Sequence, residues 1–429
     1  MLVGLVSSRF RQIRSIVCQN KFQLTVRQSS SSTVSTISGL FQSIFGRCST
    51  NIGSVTVMPK AVDFDTVVVS EPISPSANPE SASLKAHHGK GRFVIPWPSF
   101  GKGDINFFDI MQSRLSGEWK SVDIKPDMFP LVRPELAVPP SNSDAVRATW
   151  LGHASFYVEM PRSGLRILFD PLLGQKCAPT WAPGFNRVSE SPVSVDELPG
   201  VDAVIISHSH YDHLDNYSID LISQRFPGSC YIVPLGVKRW FTAKNITNVV
   251  ELDWWDERDV SVRGQRATIS CLPAQHISNR TFTDHGKALC ASFSISSDTR
   301  RLYFAGDTGY RAVPKLNPDQ DDYAIDMPSC PAFKEIGKFR GPFDLALLPI
   351  GAYSPRHIMS RVHSNPMDSV NIFKDVQAKR AIAMHYGTFV LTDEPLPEPV
   401  VKLKDALRLS GIAETGIFDA IKVGQSVEI

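Results

Sequence analysis

Residues 201–215 read VDAVIISHSHYDHLD, and the centre of that run, His208-Ser209-His210-Tyr211-Asp212-His213, places four potential metal ligands within six residues. Alternate residues of an extended segment point the same way, so His208 and His210 converge on one ion. The chain then turns toward a helix, which lets Asp212 and His213 address a second. Imidazole and carboxylate donors suit zinc, and accept iron or manganese as well. The plain alternative is a polar loop that happens to be His-rich. Three His and two Asp in the eight residues from His208 to Asp215, directly behind an apolar run, argue against it.

Two ions need further donors, and the sequence offers them at the mouths of apolar strands, where sites are built. His276 follows ATISCLPAQ, Asp307 follows RLYFAG, and His385 follows RAIAM. Asp170, in LFDP, either orients a ligand histidine or simply ends a strand before a proline turn. His153, in LGHAS, is a candidate lining residue. Tyr211 either contacts substrate or packs the loop. His285 and His357 read as surface or packing histidines, and His87-His88 as a solvated pair in a Ser/Pro/Gly-rich stretch.

The elements that must position these donors can be read from the same text. Strand-like runs are Val146–Trp150, Ser155–Met160, Leu165–Phe169, Val201–Ser207, Ala267–Leu272, Ala288–Ile295, Arg301–Ala305, Leu345–Pro349 and Arg380–Met384. Helical periodicity falls on Asp215–Arg225, Met367–Gln377 and Pro399–Leu409, with a shorter candidate over 104–120. Strands and helices alternate irregularly, which predicts an α/β layered sandwich rather than a simple doubly wound sheet.

HxHxDH, then a His, a strand-ending Gly-Asp and a final His resemble the metallo-β-lactamase superfamily over roughly residues 145 to 425. The resemblance implies a four-layer αβ/βα sandwich with an N-terminal extension and a two-zinc site between the sheets. By position, His208, His210 and His276 would bind one zinc, Asp212, His213 and His385 the other, and Asp307 would bridge them. TWLGHASFYVEM, ISHSHYDHLD, VELDWWDE, FAGDTGY, GPFDLALLPIGAY, HYGTF and the upstream RFVIPWPSF are similar to the N-acyl-phosphatidylethanolamine-hydrolysing phospholipase D family. That likeness implies zinc-dependent hydrolysis of the lipid's phosphodiester to an N-acylethanolamine and phosphatidate, in a homodimer. Paired ions bring the pKa of a shared water to about 7, from about 15.7 in bulk, which supplies hydroxide without a Ser or Cys nucleophile. Asp212, Asp307 and His363 are then the expected catalytic residues, with Tyr211 and His363 on the substrate and Asp170 and His153 behind the ligands. For His363, in VHSNP, contact with the phosphate and protonation of the leaving group both stay open, as does a plain loop or N-cap role. The chain departs from the family after GDTGY, where residues 311–330 (RAVPKLNPDQDDYAIDMPSC) intervene before Pro331-Ala332-Phe333 as an expected surface loop near the substrate entrance.

The 429 residues carry a net charge of +2, unevenly placed. Residues 1–62 contain seven bases and no acid; without them 38 bases face 43 acids, a net of −5. A basic nucleic-acid footprint is therefore not expected, which disfavours an RNA-cleaving relative. A lactone or thioester hydrolase gives no reason for the WPSF and DWW segments, and a non-catalytic scaffold would have eroded ligands. Seven scattered cysteines without CxxC suggest a reducing compartment and no disulfide framework. The acid-free Ser/Arg-rich start reads either as a mitochondrial-type targeting segment or as a basic tail that touches anionic lipid. No apolar run approaches the roughly 20 residues of a membrane span, so the expectation is an intracellular, peripherally membrane-associated enzyme. The divisions expected are a tail over 1–60, a linker over 61–91, an arm over 92–145 and a catalytic domain over 146–429. Phe93, Trp97, Phe100, Phe107 and Phe108, with Trp254 and Trp255, supply aromatics for an acyl groove or interfacial surface, the two tryptophans more often being core.

Overall fold

The computed structural model describes residues 66–101, 122 and 129–429, apart from 75–76, 143, 163, 180–181, 183, 282 and 318–319. The expected tail, the helix candidate over 104–120, and Phe107 and Phe108 lie outside the described residues. In chain order the strands are β1 (Val68–Val69), β2 (Arg147–Gly152), β3 (Ser155–Glu159), β4 (Arg166–Phe169), β5 (Ala203–Ile205), β6 (Cys230–Pro234), β7 (Val249–Leu252), β8 (Glu257–Val262), β9 (Gln265–Pro273), β10 (Ala291–Ser296), β11 (Arg301–Phe304), β12 (Phe343–Pro349), β13 (Ala378–Met384), β14 (Phe418–Asp419) and β15 (Ser426–Glu428). The helices are α1 (Glu80–Leu84), α2 (Asn216–Arg225), α3 (Lys238–Thr242), α4 (Ala332–Phe339), α5 (Arg356–Met359), α6 (Pro366–Asp375) and α7 (Glu398–Leu409).

The strands form two sheets, one ordered β1-β8-β9-β10-β11-β12-β13-β14 and the other β15-β2-β3-β4-β5-β6-β7. Each is antiparallel in one half and parallel in the other, switching at β11 and at β4. Their inner faces meet in a continuous apolar core, with the Phe169 and Phe304 rings 4.7 Å apart across it. Strands buried on both faces read as apolar runs, as in Leu345–Pro349 of the fully buried β12, after Asp344 at its start. On the outside of the smaller sheet, Ile219, Ile222 and Phe241 from α2 and α3 cover Val204, Tyr231 and Val233. Outside the larger one lie α6 and α7, Phe373 of α6 packing on Phe418 of β14 at 5.8 Å. The architecture is the αβ/βα sandwich expected.

Two stretches differ from their reading. Residues 66–91 are not a free linker: β1 pairs with β8 as the edge of the larger sheet, and Ile73 bridges to Glu257. Nor are His87 and His88 a solvated pair. Their Nε2 atoms lie 2.7 and 2.8 Å from the two oxygens of Asp253, Lys85 Nζ lies 2.7 Å away, and His87 stacks on Trp254 at 4.2 Å. Three basic groups from one short segment thus share a single carboxylate beyond β7. The arm's aromatics go into packing: Trp97 stacks on Trp254 at 5.3 Å, and Phe100 is buried. The described cysteines are buried free thiols, and among the described residues no helix is long and apolar enough to cross a membrane.

Candidate metal centre

The site gathers loops that leave the C-terminal ends of β4 and β5 in one sheet and β9, β11 and β13 in the other. His208, His210, Asp212 and His213 lie on the turn between β5 and α2. Asp215, the motif's last acid, is no ligand. Its carboxylate caps α2, accepting from the backbone N–H groups of Tyr217 and Ser218. His276 follows β9, Asp307 follows β11, His385 follows β13, and His363 stands between α5 and α6.

The donors fall into two clusters, His208, His210, His276 and Asp307, and His153, Asp212, His213 and His385, each set lying within 4.8 Å. In the first, His210 Nδ1 is 3.0 Å from His208 Nε2 and 3.2 Å from His276 Nε2. Asp307 stands between the clusters. Its Oδ2 is 3.7 Å from His208 Nε2, 3.8 Å from His276 Nε2 and 3.1 Å from His213 Nε2, and its Oδ1 is 3.0 Å from His385 Nε2. His363 Nδ1 lies 4.0 Å from Asp307 Oδ2.

The residues fit a pair of cations. Buried polar atoms are normally satisfied, yet His213 Nε2, His385 Nε2 and Asp307 Oδ1 make no hydrogen bond, although each histidine nitrogen lies 3.1 or 3.0 Å from an Asp307 oxygen. Burial, aided by repulsion from neighbouring imidazoles, holds His208 well below the usual histidine range and His210 at about 4, which keeps their lone pairs free. His276 is lowered by burial too. For His213 and His385 burial is outweighed by carboxylates, Asp307 first, and His385 rises to about 9. Asp212 and Asp307 are held well below the carboxylate range because facing histidines, His213 above all, overcome their burial.

Second partners fix the ring orientations, as metal-binding histidines require. Asp170 Oδ2 lies 2.7 Å from His213 Nδ1, and the same carboxylate accepts from the Ser207 backbone N–H and hydroxyl at 2.7 and 2.5 Å. His276 Nδ1 donates to the Val362 carbonyl at 2.9 Å. His153 Nε2 lies 2.9 Å from Asp212 Oδ2, its ring 4.0 Å from that of His385. Burial holds His153 at about 3. His153, Asp170 and His385 have φ of 53°, 38° and 62°, a left-handed conformation that non-glycine residues adopt at a cost and that clusters at functional sites. The strain at His153 is braced by Thr388 Oγ1, which accepts its N–H at 2.6 Å, and by its own carbonyl, which accepts from His385 N at 3.0 Å. Gly306 cannot carry a side chain: an added Cβ would lie 2.6 Å from Ser207 Cβ, so only glycine lets the Asp307 loop meet the His208 loop.

Tyr211 is half-buried, with the Arg280 guanidinium 3.9 Å over its ring. Arg280 also donates to the Ser209 and Leu214 carbonyls at 2.9 and 2.7 Å, pinning the whole ligand loop. The sequence reading missed Arg280, and it missed Gln275. The Gln275 side chain is fully buried, accepts from Ser99 Oγ at 2.5 Å and donates to the Arg361 carbonyl at 3.0 Å, while its N–H donates to Thr308 Oγ1 at 2.9 Å. The arm, the Asp307 loop and the His363 loop are thereby tied to the residue beside His276. Adjacency to His276 was the only sequence signal.

A family profile described as the β-lactamase superfamily domain matches residues 165–386. The chain is 36% identical over 284 residues to the N-acyl-phosphatidylethanolamine-hydrolyzing phospholipase D 1 of Caenorhabditis elegans, covering 65% of this chain and 74% of that one. It is 35% identical over 286 residues to an uncharacterized protein of Mycobacterium bovis, covering 64% and 67%. Over 257 residues it is 35% identical to the mitochondrial N-acyl-phosphatidylethanolamine-hydrolyzing phospholipase D of Saccharomyces cerevisiae, covering 60% and 50%.

Proposed function

The chain belongs to the β-lactamase superfamily, and on that premise we propose that it is a two-zinc phosphodiesterase of the phospholipase D type, converting N-acyl-phosphatidylethanolamine to N-acylethanolamine and phosphatidate. The observation that carries the metal chemistry is Asp307, one carboxylate set between two His/Asp clusters. The names of the worm and yeast relatives support the substrate. His208, His210, His276 and Asp307 would hold one ion, and Asp212, His213, His385 and Asp307 the other. Bound there, paired zinc ions supply Lewis acidity to a phosphate oxygen and activation of water at neutral pH.

The chain's own groups have separable tasks. With an ion bound, Asp170 would hold the remaining His213 proton on Nδ1, which leaves Nε2 to face the site. His153 does the same for Asp212, holding its Oδ2 in place. His363 is kept neutral by burial, its Nδ1 lacks a partner, and it faces Asp307. As a neutral N–H donor it is placed to hydrogen-bond a phosphate oxygen; giving a proton to the departing alkoxide would require it to be charged first, against its burial.

The lipid would be reached from the membrane surface, with the basic, acid-free residues 1–62 attracted to anionic headgroups. The alternative role for the same segment is a mitochondrial-type targeting sequence, in line with the yeast relative's name. Deleting residues 1–60 should then change the protein's location, and an unchanged location removes that part. The homodimer implied by the resemblance is tested by sedimentation. For the reaction, full-length zinc-loaded protein should release N-acylethanolamine from N-acyl-phosphatidylethanolamine in mixed micelles and stop on chelation. No release at full zinc loading would reject the substrate, and lactone or thioester turnover under the same conditions would redirect it.

A further inference from the structure

Within residues 311–330, expected to be a surface loop, Arg311–Val313 and Asp322–Tyr323 are stapled onto the segment that carries His363. Val313 N–H donates to Ser360 Oγ at 2.8 Å, and Ala312 N–H to the Ser99 carbonyl at 2.7 Å. Arg311 is buried, lies 3.6 Å over the Tyr323 ring and donates to the Asp322 carbonyl at 3.0 Å. The Tyr323 hydroxyl donates to Asp368 Oδ1, and Arg311 Nε lies 3.5 Å from the same oxygen. Arg356 joins the two acids, with Nε 2.9 Å from Asp322 Oδ2 and Nη2 3.0 Å from Asp368 Oδ2.

Asp368 is fully buried and is the third residue of α6. It forms a reciprocal cap with Asn365, accepting from the Asn365 N–H at 3.2 Å and donating its own N–H to Asn365 Oδ1 at 2.8 Å. Asn365 is two residues from His363. The intervening Ser364 donates to the Thr308 carbonyl at 2.8 Å, next to Asp307. A path of direct contacts thus runs from Tyr323 through Asp368 and Asn365 to the backbone that aims His363 at Asp307.

We propose that the 311–330 strap is a positioning element for His363, acting through the Tyr323–Asp368 contact. The proposal rests on the reading of His363 as a site residue of the hydrolase. A closed capping box alone would hold the start of α6. The strap adds the Tyr323 hydroxyl and the Arg311 guanidinium on Oδ1, the carboxylate oxygen that the capping box leaves open, which fixes the cap's rotation as well as its presence. Because misplacing a reacting group by about 1 Å can cost on the order of a hundredfold in rate, a clamp this close to the site has kinetic consequences without touching substrate.

The test is a double-mutant cycle in full-length, zinc-loaded protein, with Tyr323→Phe, His363→Ala and the combination. Tyr323→Phe keeps the ring under Arg311 and removes only the hydroxyl. It should lower kcat on N-acyl-phosphatidylethanolamine about tenfold, with KM and zinc content unchanged. In the His363→Ala background the same substitution should cost less than about twofold, since residues acting as a unit are non-additive. Equal losses in both backgrounds, or no loss in either, would overturn the proposal. If wild-type protein leaves the lipid intact, the substrate reading has failed, and the cycle is then read by 31P NMR as affinity for inorganic phosphate. A loss of affinity on Tyr323→Phe that requires His363 supports positioning; a loss independent of His363, or none, rejects it.

Discussion

Asp170→Asn changes one atom type, and its effect can be worked through from the contacts. The carboxylate accepts from the Ser207 N–H at 2.7 Å, the Ser207 hydroxyl at 2.5 Å and His213 Nδ1 at 2.7 Å. The asparagine carbonyl can keep the backbone donor, and the Ser207 hydroxyl can rotate to accept from the new NH2. His213 cannot rotate away, because it is fully buried. If its proton stays on Nδ1, two buried N–H groups face each other, which costs about 1–3 kcal/mol. In the singly protonated form that an ion needs, the ring therefore carries its proton on Nε2, which donates to Asp307 Oδ2, 3.1 Å away. The metal-free protein accommodates this, but an ion at the second cluster must displace that proton. Charging the cost against binding weakens the second ion about 10–100-fold, or about 1.4–2.7 kcal/mol. The assay is zinc titration of metal-free protein against a chromophoric chelator. Two ions bound with wild-type affinity would show that Asp170 does not set the His213 tautomer.

Chelated protein should be most stable near pH 6.5. His385 and His213 have raised pKa values, so their contribution is complete below about 6.5 and is lost at higher pH, that of His385 as pH climbs through about 9. His210 and His153 are depressed to about 4 and about 3, so between there and about 6.5 the unfolded chain binds more protons and stability falls with falling pH. Urea midpoints from pH 4 to 9 test this, and a flat profile contradicts it. Zinc held at about 100 times the dissociation constant of each site should add about 2.7 kcal/mol per bound ion to the unfolding free energy and raise those midpoints; no gain would mean that the clusters do not bind zinc in the folded state. Gln275→Leu should cost about 2–4 kcal/mol in urea unfolding, since Ser99 Oγ and the Arg361 carbonyl lose buried partners; a loss under about 0.5 kcal/mol would rule out the hub. Asp253→Ala removes the anchor shared by Lys85, His87 and His88, and should speed hydrogen exchange over residues 85–94 while leaving the metal loops protected.

The donors and their order were legible because each sits at the end of a short apolar run, and such runs announce buried strands locally. The strands of ATISCLPAQ, RLYFAG and RAIAM and the helices behind Asp215 and Pro366 all appear in the fold. The elements that escaped carry mixed local signals. In β6, CYIVP ends in proline. In α4, AFKEIGKF holds Gly337 mid-helix, where an added Cβ would lie 2.2 Å from the Asp375 carbonyl, so the glycine serves helix packing at the expense of helix propensity.

What the sequence determined by itself was the inventory: seven His and Asp donors at the ends of apolar runs, an α/β alternation to carry them, and a polarised charge. What only the tertiary structure decided was partnership. Asp170 meets His213 across 43 positions and His87 meets Asp253 across 166. Asp215 caps α2, Val68–Val69 forms a sheet edge within an expected linker, and described parts of an expected surface loop grip the His363 segment. The physical reason is range. Hydrophobic periodicity is a local property of the chain, readable within one element. Which buried donor finds which acceptor depends on strand order, register and the packing of two sheets, and those are settled only when distant segments share one core.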